Sequence, residues 1–286
     1  MTSETNPPEI FDRQRRRALR ERASRRQGDQ FLWTQIAQDL GERLTFVTRA
    51  FEHALIIGPI AQWQKDILPA DMHCTHMPLI SFGGAEEPQS GCEEDRLPFP
   101  PASFDLVISA GTLDSVNDLP GALIQIRRIL KPDGLFLGHM FGAGTLATLK
   151  SMFLESDADQ VRPHMHPQID LRSAADLIVR AGFALPVADQ DVTEVRYSNW
   201  RGIVSDVRDA GIGNALAGPR AYLGKNAINR LDEIFAARAD AQGKVAENFT
   251  HLFLSGWAPS ENQPRPANRG SAQVSLADIL SKNPES

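Results

Sequence analysis

Two hundred and eighty-six residues, 42% hydrophobic and 23% charged, suit one large domain, or one plus an appendage, and argue against wholesale disorder. The longest apolar runs, such as Leu55-Ile56-Ile57, are far too short to span a bilayer, and no N-terminal apolar stretch resembles a signal peptide. Two cysteines, Cys74 and Cys92, with no Cys-x-x-Cys spacing, exclude a disulfide framework and a four-cysteine zinc site, so reduced thiols and a cytoplasmic setting are expected. The net charge of −6 hides an asymmetry. Residues 13–26 hold eight arginines against Glu21 alone, a local +7, which leaves −13 for the rest.

In chain order, residues 1–10 read as an unstructured lead, and 11–28 favour helix. Phe31, Leu32, Ile36, Leu40, Leu44 and Val47 then recur at helical spacing. At His53-Ala-Leu-Ile-Ile-Gly58 the period changes to a short apolar run ending in glycine, the pattern of a strand buried on both faces. Phe104-Asp-Leu-Val-Ile-Ser109 repeats it. An amphipathic stretch from Leu119 to Leu130 ends in Lys131-Pro-Asp-Gly134, a turn, and Leu135 to Phe141 reads as strand. Leu171 to Ala181 is helical and closes at Gly182, and Phe183 to Val195 restarts strand character. Residues 199–241 are mainly helical, Asn248 to Ser255 alternates as a strand, and from Pro259 onward proline, serine and asparagine mark a flexible tail. Strands alternating with helices predict an α/β fold with a mainly parallel sheet.

One stretch is more specific. Leu97-Pro-Phe99, Ser103-Phe-Asp-Leu-Val-Ile-Ser109, Val116-Asn-Asp-Leu-Pro120 and Ile129-Leu-Lys-Pro-Asp-Gly134 closely resemble a class I S-adenosylmethionine (SAM)-dependent methyltransferase. Ile10-Phe-Asp-Arg13, Phe141-Gly-Ala-Gly-Thr-Leu146, Leu171-Arg-Ser173, Arg180-Ala-Gly-Phe183 and Arg265-Pro-Ala-Asn-Arg-Gly-Ser271 narrow the likeness to one branch. That branch holds the methyltransferase-like assembly factor 5 of respiratory complex I and its alphaproteobacterial relatives. The resemblance runs from about Phe11 to Leu280. It implies a seven-stranded, Rossmann-like sheet flanked by helices. The expected parts are an N-terminal basic helical arm at 1–50, the methyltransferase-like domain at 51–258 with a helical insertion near 199–241, and a tail at 259–286. SAM is the implied cofactor. The implied substrate is a protein, a complex I subunit or assembly intermediate, altered by methyl transfer or by arginine hydroxylation.

The cofactor motifs depart from the pattern. A SAM site in this family uses a glycine-rich loop after the first strand, an acid ending the second, and an acid near the third. Here the loop reads Gly58-Pro59-Ile60-Ala61-Gln62, with one glycine left. Pro59 removes a backbone donor, and Ile60 adds bulk where the ligand would close in. Met72-His-Cys-Thr-His76 offers no carboxylate. Glu93 aligns best with the third acid. The resemblance thus puts cofactor contacts at Gly58, Glu93, Glu94 and Ser109, each set against a plainer role as strand-end turn or solvated acidic loop. Gly144 replaces an aspartate of the family.

Asp114 is the candidate catalytic carboxylate, a general base at a strand end, against a reading as N-cap or loop carboxylate. Asp105 is read as structural. His73, Cys74, His76, His164 and His166 match no zinc spacing, so no metal is expected. The arginine-rich run could lie on anionic lipid at the inner membrane, bind a partner, or be solvated. Nucleic acid is not expected, because the run lacks aromatics and the body is acidic. Two function classes stay open: an active member of the methyltransferase family, and a catalytically impaired relative that binds and assembles. A methyltransferase of the malonyl-carrier type is a third, weaker alternative, against which the Arg265–Ser271 segment argues.

Overall fold

A computed structural model describes residues 9–26, 28–70, 72–77, 93–157, 162–261 and 263. Cys92, the 1–8 lead, the Arg265–Ser271 segment and nearly all of the expected tail lie outside them. Two helices open the chain, α1 (Arg13–Ser24) and α2 (Phe31–Thr45). Strand β1 (His53–Ile57) leads through a 3-10 turn to the single-turn helix α3 (Gln64–Ile67) and to β2 (His73–Met77). After β3 (Phe104–Ala110) come a 3-10 turn (Leu113–Ser115), α4 (Leu119–Ile129) and β4 (Leu130–Phe141). The second half holds α5 (Ala147–Ser156), α6 (Leu171–Arg180), β5 (Ala184–Tyr197), α7 (Trp200–Ala210), α8 (Lys225–Arg238) and β6 (Val245–Trp257).

The strands form one sheet in the order β2-β1-β3-β4-β6-β5. β2, β1, β3 and β4 are parallel, and β6 runs antiparallel between β4 and β5. This is the class I methyltransferase-like α/β sandwich. Six strands are present among the described residues where seven were expected. The chain between β2 and β3 includes residues 78–92, outside them.

The apolar runs make two cores because strand side chains alternate between faces. Ala54, Ile56, Leu106 and Ile108 pack on one side with α2, α5, α7 and α8. Leu55, Ile57 and Val107 pack on the other with α4 and α6. All seven residues of β3 are buried. Helix α2 belongs to the first core: Ile36, Ala37 and Leu40 are wholly buried, so this part of the 1–50 segment packs as part of the domain. Lys131-Pro-Asp-Gly134 is a bulge rather than a break. Phe104 pairs with Leu130 and Leu106 with Leu135, so the four residues loop out while the ladder resumes. Asp105 secures the start of β1. Its carboxylate accepts from the Glu52 and His53 amides and from Lys131 Nζ at 2.9–3.2 Å.

Candidate functional site: a clasped strand end beside an apolar cavity

The carboxyl ends of β1, β3 and β4 converge, as an open α/β sheet requires of a binding crevice. Gly58 leaves β1 with φ +115°, and a Cβ there would lie 2.3 Å from the Ala110 carbonyl oxygen and 2.8 Å from Thr112 Cγ2. Only glycine fits this crossing of two backbones. Ile60, two residues on, is wholly buried in the core. Ser109 is also buried, its Oγ 3.0 Å from Thr112 Oγ1. Gly58 and Ser109 therefore meet at Thr112.

Helix α1 closes over this point. Asp12 caps it by accepting from the Arg15 amide at 2.9 Å. Phe11 and Asn117 exchange two hydrogen bonds, the Phe11 amide to Oδ1 at 2.8 Å and Nδ2 to the Phe11 carbonyl at 3.0 Å. The Asp12 amide donates to Ala215, and the Ala217 amide donates to Ile10. With its start fixed, the helix turns Arg13, Arg16, Arg17 and Arg20 toward Glu93-Glu94-Asp95, since i, i+3, i+4 and i+7 share a face.

Arg16 is the centre of this clasp. Its Nη1 and Nη2 grip Glu94 in a two-pronged pair at 2.7 and 2.5 Å. Nη1 also reaches Glu93 at 3.0 Å, Nη2 the Thr112 carbonyl at 2.5 Å, and Nε the Ser115 hydroxyl at 3.0 Å. All five guanidinium donors are used. Arg13 holds Asp95 with both terminal nitrogens, and Arg17 holds Glu93 at 2.6 Å. Glu94 has no exposed surface. Burial alone would raise its pKa, but the charges of Arg16 and Arg20 and the Arg16 hydrogen bonds carry it below the ordinary carboxylate value. Arg20 moves the other way, lowered to about 10 by burial and by Arg16. So Gly58, Ser109, Glu93 and Glu94 are brought together, but around Arg16 and Thr112.

Asp114 borders that group through Ser115, whose hydroxyl lies 3.5 Å from its carboxylate. It lies in the 3-10 turn after β3, is not an N-cap, and lines a cavity of about 350 Å3. Phe141, Leu146, Leu149, Phe153, Val204 and Val207 form its apolar wall. His164 and His166 line it too. His164 Nε2 is 2.9 Å from Asp157, and its ring stacks on Phe153. Burial lowers the pKa of His166, whose Nδ1 has no partner. Two further buried imidazoles sit within the sheet: His139 Nε2 is 3.0 Å from His251 Nδ1, and His251 Nε2 is 3.2 Å from Thr193 Oγ1. Burial drives His139 well below its ordinary value and His251 down to about 4. Cys74 is half-buried, which pushes its thiol up to about 11.

Sequence reasoning did not single out Arg16, His139, His251 or the arginines of the cavity. The signal for Arg16 was present: a run of three acids, 93–95, is the natural counterpart of a run of arginines.

The methyltransferase domain family matches residues 85–138. The rat mitochondrial arginine hydroxylase NDUFAF5 is 30% identical over 298 residues, covering 96% of this chain and 84% of the relative. The chain belongs to the NDUFAF5 family. A malonyl-[acyl-carrier protein] O-methyltransferase of Gallionella capsiferriformans is 30% identical over 68% of the chain and 64% of its own length. A Haemonchus contortus phosphoethanolamine N-methyltransferase 2, solved with S-adenosylhomocysteine, covers 80% of the chain and 53% of its own at 16% identity, TM-score 0.44.

In this NDUFAF5-family chain the described residues do not fit SAM in the way the family pattern would hold it. Gly58 is required by the close approach of Ala110 and Thr112. Glu93 and Glu94 already bind arginine, and β2 carries no carboxylate. Among the described residues no three His, Cys, Asp or Glu side chains converge as a metal would require.

Proposed function

We propose that this protein is an assembly factor for respiratory complex I that engages a protein subunit. The observation that carries this reading is the alignment with NDUFAF5 along nearly the whole of both chains, 96% of one and 84% of the other. Arginine hydroxylation is the activity named for that relative, and it is the modification we assign to the active form of this reading. Its substrate would be an arginine of a complex I subunit. No helix among the described residues is long and apolar enough to cross a membrane. We place the protein in the cytoplasm, peripheral to the inner membrane when it meets its partner. Any contact with anionic lipid would use the outer face of α1, where Arg22 and Arg25 are exposed, because the inner row is engaged by acids.

A specific observation favours a second reading, binding and assembly without methyl transfer. Arg16 fills the acidic loop that the family turns toward its cofactor. In this reading the methyltransferase fold is a scaffold, and the clasp holds it shut on the cofactor side.

Deletion of the gene in the source organism, followed by mass spectrometry of complex I subunits, tests the proposal. Loss of complex I activity, with loss of an oxygen-mass increment on one subunit arginine, is the expected outcome. Loss of activity with no change in any subunit's mass would select the binding reading. Unchanged complex I activity would overturn both.

A further inference from the structure

The arginines around the cavity differ from the other arginines of α1 in one respect. Arg15, Arg22, Arg208 and Arg220 all line it, and among the described residues none pairs with a carboxylate. Arg15 donates to the carbonyls of Leu216 and Gly218, and Arg22 donates only to Ala18 within its own helix. Arg208 and Arg220 are exposed and make no side-chain hydrogen bond or ion pair among the described residues. Among the described residues Asp114 is the one carboxylate lining this space, and its charge lies beside the buried guanidiniums of Arg16 and Arg20. Four cations face one anion that is already compensated from within.

Two buried polar atoms add to this. Arg15 Nε and His166 Nδ1 have no hydrogen-bond partner, and both residues line the cavity. The buried Arg15 Nε–H is a donor without an acceptor, and a bound oxyanion can supply one. The wall is apolar, and the volume of about 350 Å3 falls at the small end of ligand cavities.

We infer that this cavity is a binding site for a small amphiphile with an anionic head, a carboxylate or a phosphate, on an apolar body. The head meets the arginines, each of which can form charge-assisted hydrogen bonds to an oxyanion. The body lies against Phe141, Leu149, Phe153 and Val207. The same charges disfavour entry of a guanidinium, so this ligand is not the arginine of the proposed protein substrate. The inference stands independently of the assembly reading: it rests on the arginines and on the cavity, and its test reads neither complex I nor subunit modification.

Calorimetric titration of the full chain with decanoate, decyl phosphate and decyltrimethylammonium, each below its micellar concentration, tests it. Both anions are expected to bind saturably and at least about tenfold more tightly than the cation, a gap of about 1.4 kcal/mol. Whichever anion binds more tightly identifies the head. The variant R208A/R220A is expected to weaken both anions by about tenfold with an unchanged melting temperature, because neither arginine supports the fold. Arg172→Ala, an exposed arginine elsewhere, is expected to change nothing. Equal binding of the cation, unchanged anion affinity in R208A/R220A, or no saturable binding of either anion would each overturn the inference.

Discussion

The two faces of α1 carry the same residue type into opposite situations. On the inner face Arg13, Arg16 and Arg17 meet Glu93, Glu94 and Asp95 at hydrogen-bonding distance, and Arg16 has every donor satisfied. On the outer face Arg15 and Arg22 reach only carbonyls and border a cavity whose other arginines, Arg208 and Arg220, are unpaired. The inner row is structural: removing one partner strands a charge where water cannot reach it. The outer row carries no ion pair among the described residues, and is suited to a ligand. A count of arginines in a sequence does not separate these roles; the position of the acids does.

The sharpest way to break this contrast is Arg16→Ala. Loss of Arg16 leaves Glu94 with only Arg20, 3.7 Å away, and the expected cost is about 3–5 kcal/mol in chemical denaturation. Arg16→Leu combined with Glu94→Leu should recover only part of that loss, since the unpaired Glu94 charge goes while buried Arg20 loses its partner. A double variant as unstable as Arg16→Ala alone would place the importance of Arg16 elsewhere.

A second expectation concerns His139 and His251, which are buried neutral. An unfolded histidine takes up a proton below about pH 6.5, whereas His251 in the fold resists until about 4. The unfolded state then binds more protons, so stability falls as pH drops from 6.5 toward 4, by about 2–3 kcal/mol for this group. Denaturation midpoints measured across that window should decline in the natural protein and flatten in H139L/H251L.

Asp105→Ala is expected to cost about 1–3 kcal/mol through the Glu52 and His53 amides left without an acceptor. Burial raises the Asp105 pKa, but those amides and Lys131 outweigh it and hold the value below the usual 3.8. The stabilisation is therefore complete above pH 4 and is lost as pH falls through the folded value. In the variant this component of the acid limb should vanish. The smallest effect belongs to the outer row: Arg22→Ala should leave stability within about 0.5 kcal/mol of the natural protein. A loss comparable to that of Arg16→Ala would erase the distinction between the two faces.

Much of the fold was legible in the sequence. The runs His53–Ile57 and Phe104–Ser109 are apolar throughout because both faces of those strands are covered, and the Lys131–Gly134 turn chemistry survives as a bulge. Helix α5 was not distinguished from its surroundings, because its buried residues Leu149, Met152, Phe153 and Ser156 make only a weak apolar stripe. The role given to the 1–50 arm was only partly legible. The apolar spacing of α2 was read, but spacing does not say what the stripe packs against. The site was less legible still. Gly58, Ser109, Glu93 and Glu94 do converge, yet Arg16 joins them from 78 residues before Glu94. Nothing local to residue 16 distinguishes it from Arg15. The same holds for the cavity arginines, which come from α1, from α7 and from the loop before α8. His139 and His251 interrupt apolar runs, and only the pairing of β4 with β6 brings them together as diagonal neighbours.

The clasp around Arg16 engages Glu93 and Glu94, the acids that the family resemblance sets beside SAM. Calorimetry of the full chain with SAM and S-adenosylhomocysteine tests it most directly. No binding heat and no thermal stabilisation are expected at millimolar concentrations of either. Saturable binding in the micromolar range, weakened by Glu93→Ala, would contradict it and return Glu93 to the role of a cofactor acid.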